Sequence, residues 1–281
     1  MSILVVPMSC IPMTRQVETA VAYLVSSNRP KPAALSSVCT SANLNNGVQV
    51  SSTQTRLQGE ILKFIRQRHY ECGERLFSER EFAAKFSTTR ASVREAITTL
   101  ETLRVVERRK QSGIFLRDLN AETSIEALVL ETNAGILPTV QQVEDASQVR
   151  RILEIEAAKK AAVICKKSDL EEISNVLRDS ENRLLAGESI IREDELFHKK
   201  IVGSSQNILL LRVVNWFYEF SKLRREHYFS DLERSKISHS EHLKIFEALQ
   251  RGDPAKTSEL MDEHLSHTYR LWDAILRKRD C

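Results

Sequence analysis

The sequence predicts a mainly α-helical protein with two folded parts, an N-terminal one that ends in a small β-hairpin and a C-terminal one that is an all-helical bundle. Three observations support this fold class. The 281 residues include only 8 Gly and 6 Pro, which argues against a loop-rich all-β fold. Long stretches rich in Leu, Glu, Lys, Arg and Ala favour helix. Two short runs, 105–109 and 114–116, have the composition of strands, and they are neighbours in the chain.

Residues 1–53 differ from the rest of the chain. They hold four of the six prolines and only four charged residues, with many Ser, Thr and Asn. Such a composition buries too little apolar surface to offset the entropy cost of ordering the chain. We therefore predict a disordered N-terminal extension, with a short helix at 17–24 as an option. A start codon assigned too far upstream would give the same pattern.

Residues 54–118 predict the first folded part. Apolar residues recur on one face between 57 and 65, so a first helix is expected to run from residue 54 to near Cys72. Ser78 and Glu81 have the spacing of a capping box, in which the serine hydroxyl accepts from the backbone amide three residues on and the glutamate reaches back. This pair predicts the start of a short second helix.

A third helix and a hairpin complete this part. The polar segment 87–89 predicts a turn, and apolar periodicity then predicts a helix over 90–103. The two strand-like runs flank a basic turn at 110–113 that contains glycine. Three helices followed by a two-stranded hairpin is the arrangement of a winged helix-turn-helix domain.

Residues 122–278 predict helix almost throughout, which makes an all-helical second domain. The expected helices span 123–132, 140–165, 169–186, 189–203, 207–229, 233–251 and 254–277. Ser168 with Glu171 predicts an N-cap, and Pro254 stands at a first helical position, where its missing amide costs nothing. The glycines expected at helix ends are Gly187, Gly203 and Gly252.

Cysteine usage and hydropathy narrow the cellular setting. The five cysteines show no CxxC pair and no regular spacing, which predicts a reducing cytoplasm rather than a disulfide framework. No apolar run approaches the roughly 18 residues of a membrane-spanning helix. The apolar N-terminus lacks the basic region of a signal peptide. We expect a cytoplasmic protein with no membrane partner.

The start of the third helix carries side chains suited to DNA. In a helix-turn-helix the second helix of the pair lies in the major groove, and its N-terminal residues reach base edges. Arg90 and Arg94 stand four residues apart on one side of this helix, and the planar fork of arginine matches guanine. Segment 54–118 holds 14 Lys and Arg against 9 Asp and Glu, an excess of five positive charges. The alternative is a surface helix whose arginines pair with nearby glutamates.

The same stretch resembles the GntR family, and its FadR-like branch in particular. The resemblance is carried by GERLFSERE at 73–81, TRASVREA at 89–96 and the glycine of the wing. It implies that the DNA-contacting residues are Arg80, Thr89, Arg90, Ser92, Arg94 and Gly113. This sequence departs from the family pattern at Cys72 and Phe77, where prolines are usual, and at Arg104, where a glycine normally ends the recognition helix. A left-handed backbone at Arg104 would be strained.

Four residues of the second domain have the chemistry of metal ligands. Asp194 and His198 stand four apart on one predicted helix, so their side chains share a face, and His242 and His264 lie on two further helices. Side chains from three helices can converge in a bundle core. One carboxylate with three imidazoles suits Zn²⁺, Ni²⁺ or a similar divalent ion. On residues alone a surface salt bridge and unrelated histidines remain the alternative.

This region also resembles the FCD ligand-binding domain of FadR-like regulators. The resemblance is carried by RRILE at 150–154, DELFH at 194–198, SEHLKIFEAL at 240–249, GD at 252–253 and MDEHL at 261–265. It implies a metal held by Asp194, His198, His242 and His264, and it places Arg150 in the same pocket, where it could clamp an effector carboxylate. A pair with Glu154, four residues on, is the alternative role for Arg150.

Other polar and aromatic residues nearby have more modest expectations. Asn207 is expected to cap a helix, and His239 and His267 to lie at the surface or behind the metal ligands. An aromatic cluster on one predicted helix is expected to form core or pocket wall rather than a platform for bases. Its members are Trp216, Phe217, Tyr218, Phe220 and Tyr228.

These expectations combine into one leading hypothesis. It is a homodimeric transcriptional repressor that reads a near-palindromic double-stranded DNA operator and is released when a small organic acid binds at a metal centre. A regulator that senses the metal ion itself is an alternative. A metal-dependent hydrolase is a second alternative, but the sequence offers no positioned general base or nucleophile motif for it. We therefore expect a regulator and not an enzyme.

Overall fold

The structure is a computed structural model that describes residues 52–277, with side chains described for 54–267. Within that range the chain forms eleven helices and one two-stranded antiparallel sheet, which confirms the mainly α-helical fold class. The extension expected over 1–53, with the short helix considered at 17–24, lies outside the described residues apart from its last two. None of the helices described is long and apolar enough to cross a membrane.

Three helices and a hairpin form the N-terminal part, which we call the head. The elements are α1 (Ser52–Gln67), α2 (Glu79–Lys85), α3 (Arg90–Thr102), β1 (Val106–Arg109) and β2 (Gly113–Leu116). In the hairpin Val106 pairs with Leu116 and Arg109 with Gly113. Helix α1 ends before the predicted position near Cys72, because His69 adopts a left-handed φ of 52°, a conformation that ends helices.

The head is built around one apolar core. The inner faces of α1 and α3 meet in it, and Ile61, Val93 and Ile97 are completely buried. A group of phenylalanine rings packs beside them, with ring centroids 4.9 to 6.2 Å apart; its members are Phe64, Phe77, Phe82 and Phe86. Since this core fixes the inner face of α3, the polar outer face is presented on a rigid support.

Local capping explains where the head helices begin and end. Ser78 and Glu81 form the predicted capping box, and the Thr89 hydroxyl accepts from the Ser92 amide at the start of α3. After α3 the backbone of Arg104 has a φ of 58°, so this position is left-handed although it carries a side chain. The strain anticipated at Arg104 is therefore present, at a cost of about 1–2 kcal/mol.

Helix α4 (Ile125–Asn133) links the head to the C-terminal part, which we call the bundle. The bundle helices are α5 (Val140–Ile164), α6 (Lys167–Leu185), α7 (Ile191–Ser204), α8 (Ile208–Phe220), α9 (Lys222–Tyr228), α10 (Leu232–Gln250) and α11 (Pro254–Arg277). Two apolar clusters fill it. One joins α5, α6, α7, α10 and α11, and the other joins α5, α7 and α8.

Two sequence expectations for the bundle were wrong. The helix expected over 207–229 is two helices that divide at Ser221. The Ser221 hydroxyl donates to the Tyr218 carbonyl, which in a continuous helix would accept from the amide of residue 222. Helix α6 begins at Lys167 and not after Ser168, because the Asp169 carboxylate accepts from the Lys166 amide. The glycines do lie at helix ends, since Gly187 and Gly252 follow helices with positive φ and Gly203 is the last residue but one of α7.

Candidate DNA-reading surface and candidate metal centre

An open groove of about 840 Å³ runs between the recognition helix and the wing. Three of the six residues expected to touch DNA line it, namely Arg80 from α2, Arg90 from the tip of α3 and Gly113 from the wing. The basic wing residues Arg108, Arg109 and Lys110 line it as well. We call this groove the DNA-reading surface. Its positive charge and the free amides at the start of α3 both favour phosphate oxygens.

Thr89 and Ser92 serve the helix terminus itself. The Thr89 Oγ1 accepts from the Ser92 amide at 3.1 Å, and the two hydroxyl oxygens are 2.9 Å apart. These hydroxyls therefore fix the tip of α3 from which Arg90 projects. A side chain that caps a helix start is well placed to contact a phosphate there.

Arg94 does not line the groove and instead pairs with Glu79 of the preceding helix. Its Nε and Nη2 donate to the carboxylate at 2.9 to 3.2 Å, while 63% of the side chain stays exposed. In the absence of DNA, Arg94 therefore fits the alternative of a surface arginine paired with a glutamate. Its partner is Glu79 and not the adjacent Glu95. The hydrogen bonds hold the guanidinium in one orientation at the rim of the groove.

Arg108 ties the wing to the recognition helix, a role that the sequence analysis missed. Its guanidinium donates to Glu101 at 2.6 Å, to the Arg94 carbonyl at 3.0 Å and to the Thr98 hydroxyl at 3.1 Å. These bonds span from β1 to α3, so the wing and the helix move together. A basic residue opposite a helical glutamate was the available signal, but the pairing depends on the hairpin's position.

In the bundle, the four residues expected to bind metal converge. Asp194 and His198 come from α7, His242 from α10 and His264 from α11, and their ligand atoms all lie within 4.8 Å of one another. All four residues are at most 5% exposed. We call this group the Asp/His centre. Burial of four polar side chains at one point is costly unless they satisfy one another or an ion.

The distances within the Asp/His centre fit a small divalent ion. The Nε2 atoms of His198 and His242 lie 3.1 and 3.2 Å from that of His264, and Asp194 Oδ1 lies 3.5 Å from His242 Nε2 and 3.8 Å from His198 Nε2. Ligands bonded at about 2.0–2.1 Å are separated by about 3.3 Å around a tetrahedral ion and about 2.9 Å at right angles around an octahedral one. The observed spacings are of this size.

Carboxylates behind two of the histidines fix which ring nitrogen faces inward. His198 Nδ1 lies 2.6 Å from Glu154 Oε2, and His264 Nδ1 lies 2.6 Å from Glu241 Oε2. A ring whose Nδ1 lies against a carboxylate keeps its Nε2 turned to the opposite side. The two Nε2 atoms lie 3.1 Å apart, so one cation could be coordinated by both rings.

Burial also keeps the imidazoles in the form that binds metal. Desolvation lowers the pKa of His198, and desolvation together with the neighbouring His264 and His198 lowers the pKa of His242 well below its ordinary value. Both rings are therefore neutral near pH 7. For Glu154, burial alone would raise the pKa, but the charges of Arg150 and then His198 lower it to about 2.

Asp194 is oriented by two further contacts. The Ser238 hydroxyl donates to its Oδ1 at 3.2 Å, and the Arg225 guanidinium lies 3.5 Å from Oδ2. Arg225 also donates to Glu195 at 2.7 Å and is buried. These contacts leave Oδ1 directed at the histidines. Glu241, Arg225 and Ser238 were missed because their roles depend on how separate helices pack, and the sequence places them one by one.

Arg150 takes the alternative role that the sequence offered, a pair with Glu154, and adds a partner on another helix. Its Nε donates to Glu154 Oε1 at 2.7 Å, which is the expected pair, and its Nη2 donates to the Tyr218 hydroxyl at 2.7 Å. Through Glu154 it is therefore joined to His198 of the Asp/His centre. The guanidinium also stacks over the Phe217 ring at 4.8 Å from its centroid.

The remaining expectations had mixed outcomes. Asn207 caps α8, and Phe217, Tyr218, Phe220 and Tyr228 are buried, as predicted, although they lie on two helices. His267 shares Glu241 with His264, which puts it behind a member of the Asp/His centre. His239 is 9% exposed and bonded to Ser180, so of its two expected positions the surface one was wrong.

Comparison with known proteins gives the family. Residues 53–116 match the model for bacterial regulatory proteins of the gntR family, and residues 145–267 match the FCD domain. The chain is 30% identical over 214 residues to the Nta operon transcriptional regulator of Aminobacter aminovorans, over 74% of this chain and 87% of the relative. It is 28% identical over 200 residues to the HTH-type transcriptional regulator LutR of Bacillus subtilis. That match covers 69% of this chain and 90% of the relative.

Two further similarities agree with this. The chain is 24% identical to the HTH-type transcriptional repressor NanR of Cronobacter sakazakii, over 79% of this chain and 86% of the relative. The fold of the chain also matches a solved structure titled for Lar, which controls the Listeria monocytogenes agr system, with a TM-score of 0.54 at 18% identity. That match covers 78% of this chain and 95% of the solved one. The head, the bundle and these relatives lead to one conclusion: the chain belongs to the GntR family of DNA-binding transcriptional regulators, with an FCD effector-binding domain, and is not an enzyme.

Proposed function

We propose that the head reads its operator through the six residues named from the sequence. Arg90 would contact base edges or phosphates from the tip of α3, and Arg94 would do so once its bonds to Glu79 exchange for DNA. Arg80 would contact the phosphate backbone, and Gly113 would let the wing approach it closely. The two hydroxyl residues Thr89 and Ser92 would contact phosphates while capping α3. The groove that Arg80, Arg90 and Gly113 line, and its positive charge, support this assignment.

We propose that the Asp/His centre holds a divalent metal ion, with Zn²⁺ first and Ni²⁺ or another transition ion as alternatives. The carrying observation is that His198 and His264 turn their Nε2 atoms toward each other at 3.1 Å while a carboxylate lies 2.6 Å from each Nδ1. A bound ion would supply a coordination position for a ligand oxygen beyond the four protein ligands. Asp194 and Glu154 would offset part of its charge.

The effector is proposed to be a small organic acid. Its carboxylate would find positive charge at the ion and at Arg150, which Glu154 and Tyr218 hold in place. Buried guanidinium and metal charges together favour an anion over a neutral ligand. The effector would change operator affinity only by binding one conformation of the dimer better than the other.

The protein is proposed to be a cytoplasmic homodimer that represses transcription. One recognition helix reads one half-site, so two heads would require a near-palindromic operator. Among the relatives, the regulators called NanR are named repressors, which supports repression for this chain as well.

The proposal is tested by operator binding and ligand screening on the full chain. Fluorescence anisotropy at low salt should show tight binding to a duplex from the upstream region of its own gene and weak binding to a scrambled duplex. A thermal-shift screen of organic acids should give hits with Zn²⁺-loaded protein that vanish after chelation. Binding that follows Zn²⁺ concentration with no acid needed would favour the metal-sensing alternative. Equal affinity for the two duplexes would overturn the proposal.

A further inference from the structure

The DNA-reading surface contains one acidic side chain that the proposed operator contacts do not use. Among the described residues that line this groove, five are arginine or lysine and only Glu79 is acidic. Its side chain is 20% exposed, so its neighbours largely enclose it. A carboxylate that faces DNA phosphates is unfavourable, because like charges repel each other. Phosphate binding therefore does not explain why an acid lies in this groove.

Glu79 lies where three elements of the head meet. It is the first residue of α2, and its carboxylate accepts from Nε and Nη2 of Arg94 on α3 at 2.9 to 3.2 Å. The Nη2 of Arg108 on β1 lies 3.8 Å from Glu79 Oε1. One carboxylate thus faces an arginine of the recognition helix and an arginine of the wing.

The backbone at Arg94 is held as well. Arg108 donates to the Arg94 carbonyl at 3.0 Å and to Glu101 at 2.6 Å, so β1 is bonded to α3 beside the Glu79 contact. Glu79 therefore binds a guanidinium whose helix is fixed in place. The Arg94 side chain is nevertheless 63% exposed, so DNA can reach it.

Any DNA that binds Arg94 must replace its hydrogen bonds to Glu79. A phosphate offers a similar charge-assisted bond, but the exchange leaves the Glu79 carboxylate with only the more distant Arg108, beside the negative charge of DNA. Guanine offers two acceptors, O6 and N7, which match the arginine fork. The exchange is therefore nearly neutral on a phosphate and favourable on a guanine. Because specificity is a difference of two affinities, a penalty on the wrong ligand raises it.

We propose that Glu79 is a specificity-determining residue of the head, which withholds Arg94 from phosphates and yields it to a base edge of the operator. The inference rests on the proposed reading of the operator by Arg94. It gives Glu79 a role that requires no contact with DNA. In Glu79→Gln the charge that competes with DNA is removed, so Arg94 should bind phosphate at any sequence.

Fluorescence anisotropy of the full chain on the duplex from its own upstream region and on a scrambled duplex measures the effect. In Glu79→Gln the affinity for the scrambled duplex should rise about three- to tenfold, while that for the upstream duplex should change by less than about twofold. A salt series gives a second readout. If Arg94 gains one phosphate on the scrambled duplex, the slope of log affinity against log salt concentration should steepen there by about 0.9.

Three further variants test the route and control for charge and folding. In the Arg94→Ala background, Glu79→Gln should change neither the affinity nor the salt slope for the scrambled duplex. Glu60→Gln removes the same charge from an exposed pair with Lys63 on α1 and should bind both duplexes as the wild type does. Glu79→Asp keeps the charge but is one methylene group shorter, so it should release Arg94 even if Glu79→Gln folds poorly.

The wild type decides first whether the inference has its basis. If it showed no preference for the upstream duplex, the proposed operator reading would be overturned and this inference with it. Given that preference, an equal gain on both duplexes, or no gain on the scrambled one in Glu79→Gln and Glu79→Asp, would overturn the role of Glu79 alone. A gain that persisted in the Arg94→Ala background would also overturn it, because Glu79 would then act on phosphates directly.

Discussion

At the DNA-reading surface and its rim the side chains assigned to binding are exposed, whereas in the Asp/His centre they are buried and supported from behind. Arg94 is 63% exposed and bonded to one carboxylate, while His198 is completely buried with Glu154 behind its ring. Exposed arginines can exchange protein partners for DNA at little cost. Buried ligands cannot relax, so their geometry selects the ion. Each region therefore has the construction that its proposed ligand requires.

The largest effect is expected from removing the exposed arginines together. Arg90→Ala with Arg94→Ala should lower operator affinity by about 2–6 kcal/mol, if each contact is worth about 1–3 kcal/mol. Fluorescence anisotropy across a salt series should also show that the slope of log affinity against log salt concentration is smaller by about two. Arg178→Ala, an exposed arginine on α6, is the control and should change neither quantity. Unchanged operator affinity in the double variant would contradict the assignment of the head.

Removal of one of the buried residues proposed to bind the metal is expected to have the second-largest effect. His242→Ala should weaken Zn²⁺ binding roughly 100- to 1,000-fold, because four ligands share about 10–16 kcal/mol in comparable sites. Competition with a chelating dye measures this loss. His239→Ala is the matched control, since His239 lies on the same helix and bonds to Ser180 instead. Equal losses in the two variants would mean that the Asp/His centre is not the metal site.

The carboxylate behind His198 should have a smaller but distinct effect. Glu154→Gln keeps the shape of the side chain and removes the charge that faces His198 and Arg150, so Zn²⁺ affinity should fall about 10- to 100-fold. The same titration measures it, with Glu156→Gln on the same helix as the control. A Glu154→Gln variant that bound Zn²⁺ as tightly as the wild type would limit Glu154 to the role of a partner for Arg150.

The smallest effect is expected at the strained end of the recognition helix, and it should be stabilising. Arg104→Gly places a residue without Cβ at the left-handed position, which should relieve strain beyond its entropy cost and gain about 0.5–1 kcal/mol. The midpoint temperature of thermal unfolding should rise by about 1–4 °C. Arg104→Ala keeps the Cβ and serves as control. A gain as large for alanine as for glycine would show that the side chain and not the backbone is responsible.

The two regions also differ in how far sequence could predict them. The head is a continuous stretch, so the capping box at Ser78, the basic wing and the recognition helix could each be found locally. Asp194 and His198 share one helical face and were found in the same way. The link from Glu241 to His264 joins two helices, and no local pattern specifies it.

The pairing of Arg94 shares that non-local origin, whereas the break at Ser221 has a local cause. Arg94 pairs with Glu79 and not with its neighbour Glu95, because α2 and α3 cross at that point. The break at Ser221 arises from one hydroxyl that competes for a backbone carbonyl, and serine inside an apolar helix is compatible with either outcome.

Operator affinity with an acid from the thermal-shift screen tests most directly whether the buried centre controls the exposed head. Anisotropy titrations would use Zn²⁺-loaded wild type, chelated wild type and His242→Ala, each with and without the acid. The account predicts that the acid weakens operator binding in the loaded wild type at least fivefold, as a coupling of about 1 kcal/mol or more requires, and has no effect in the other two. An acid response that survived both chelation and His242→Ala would contradict it.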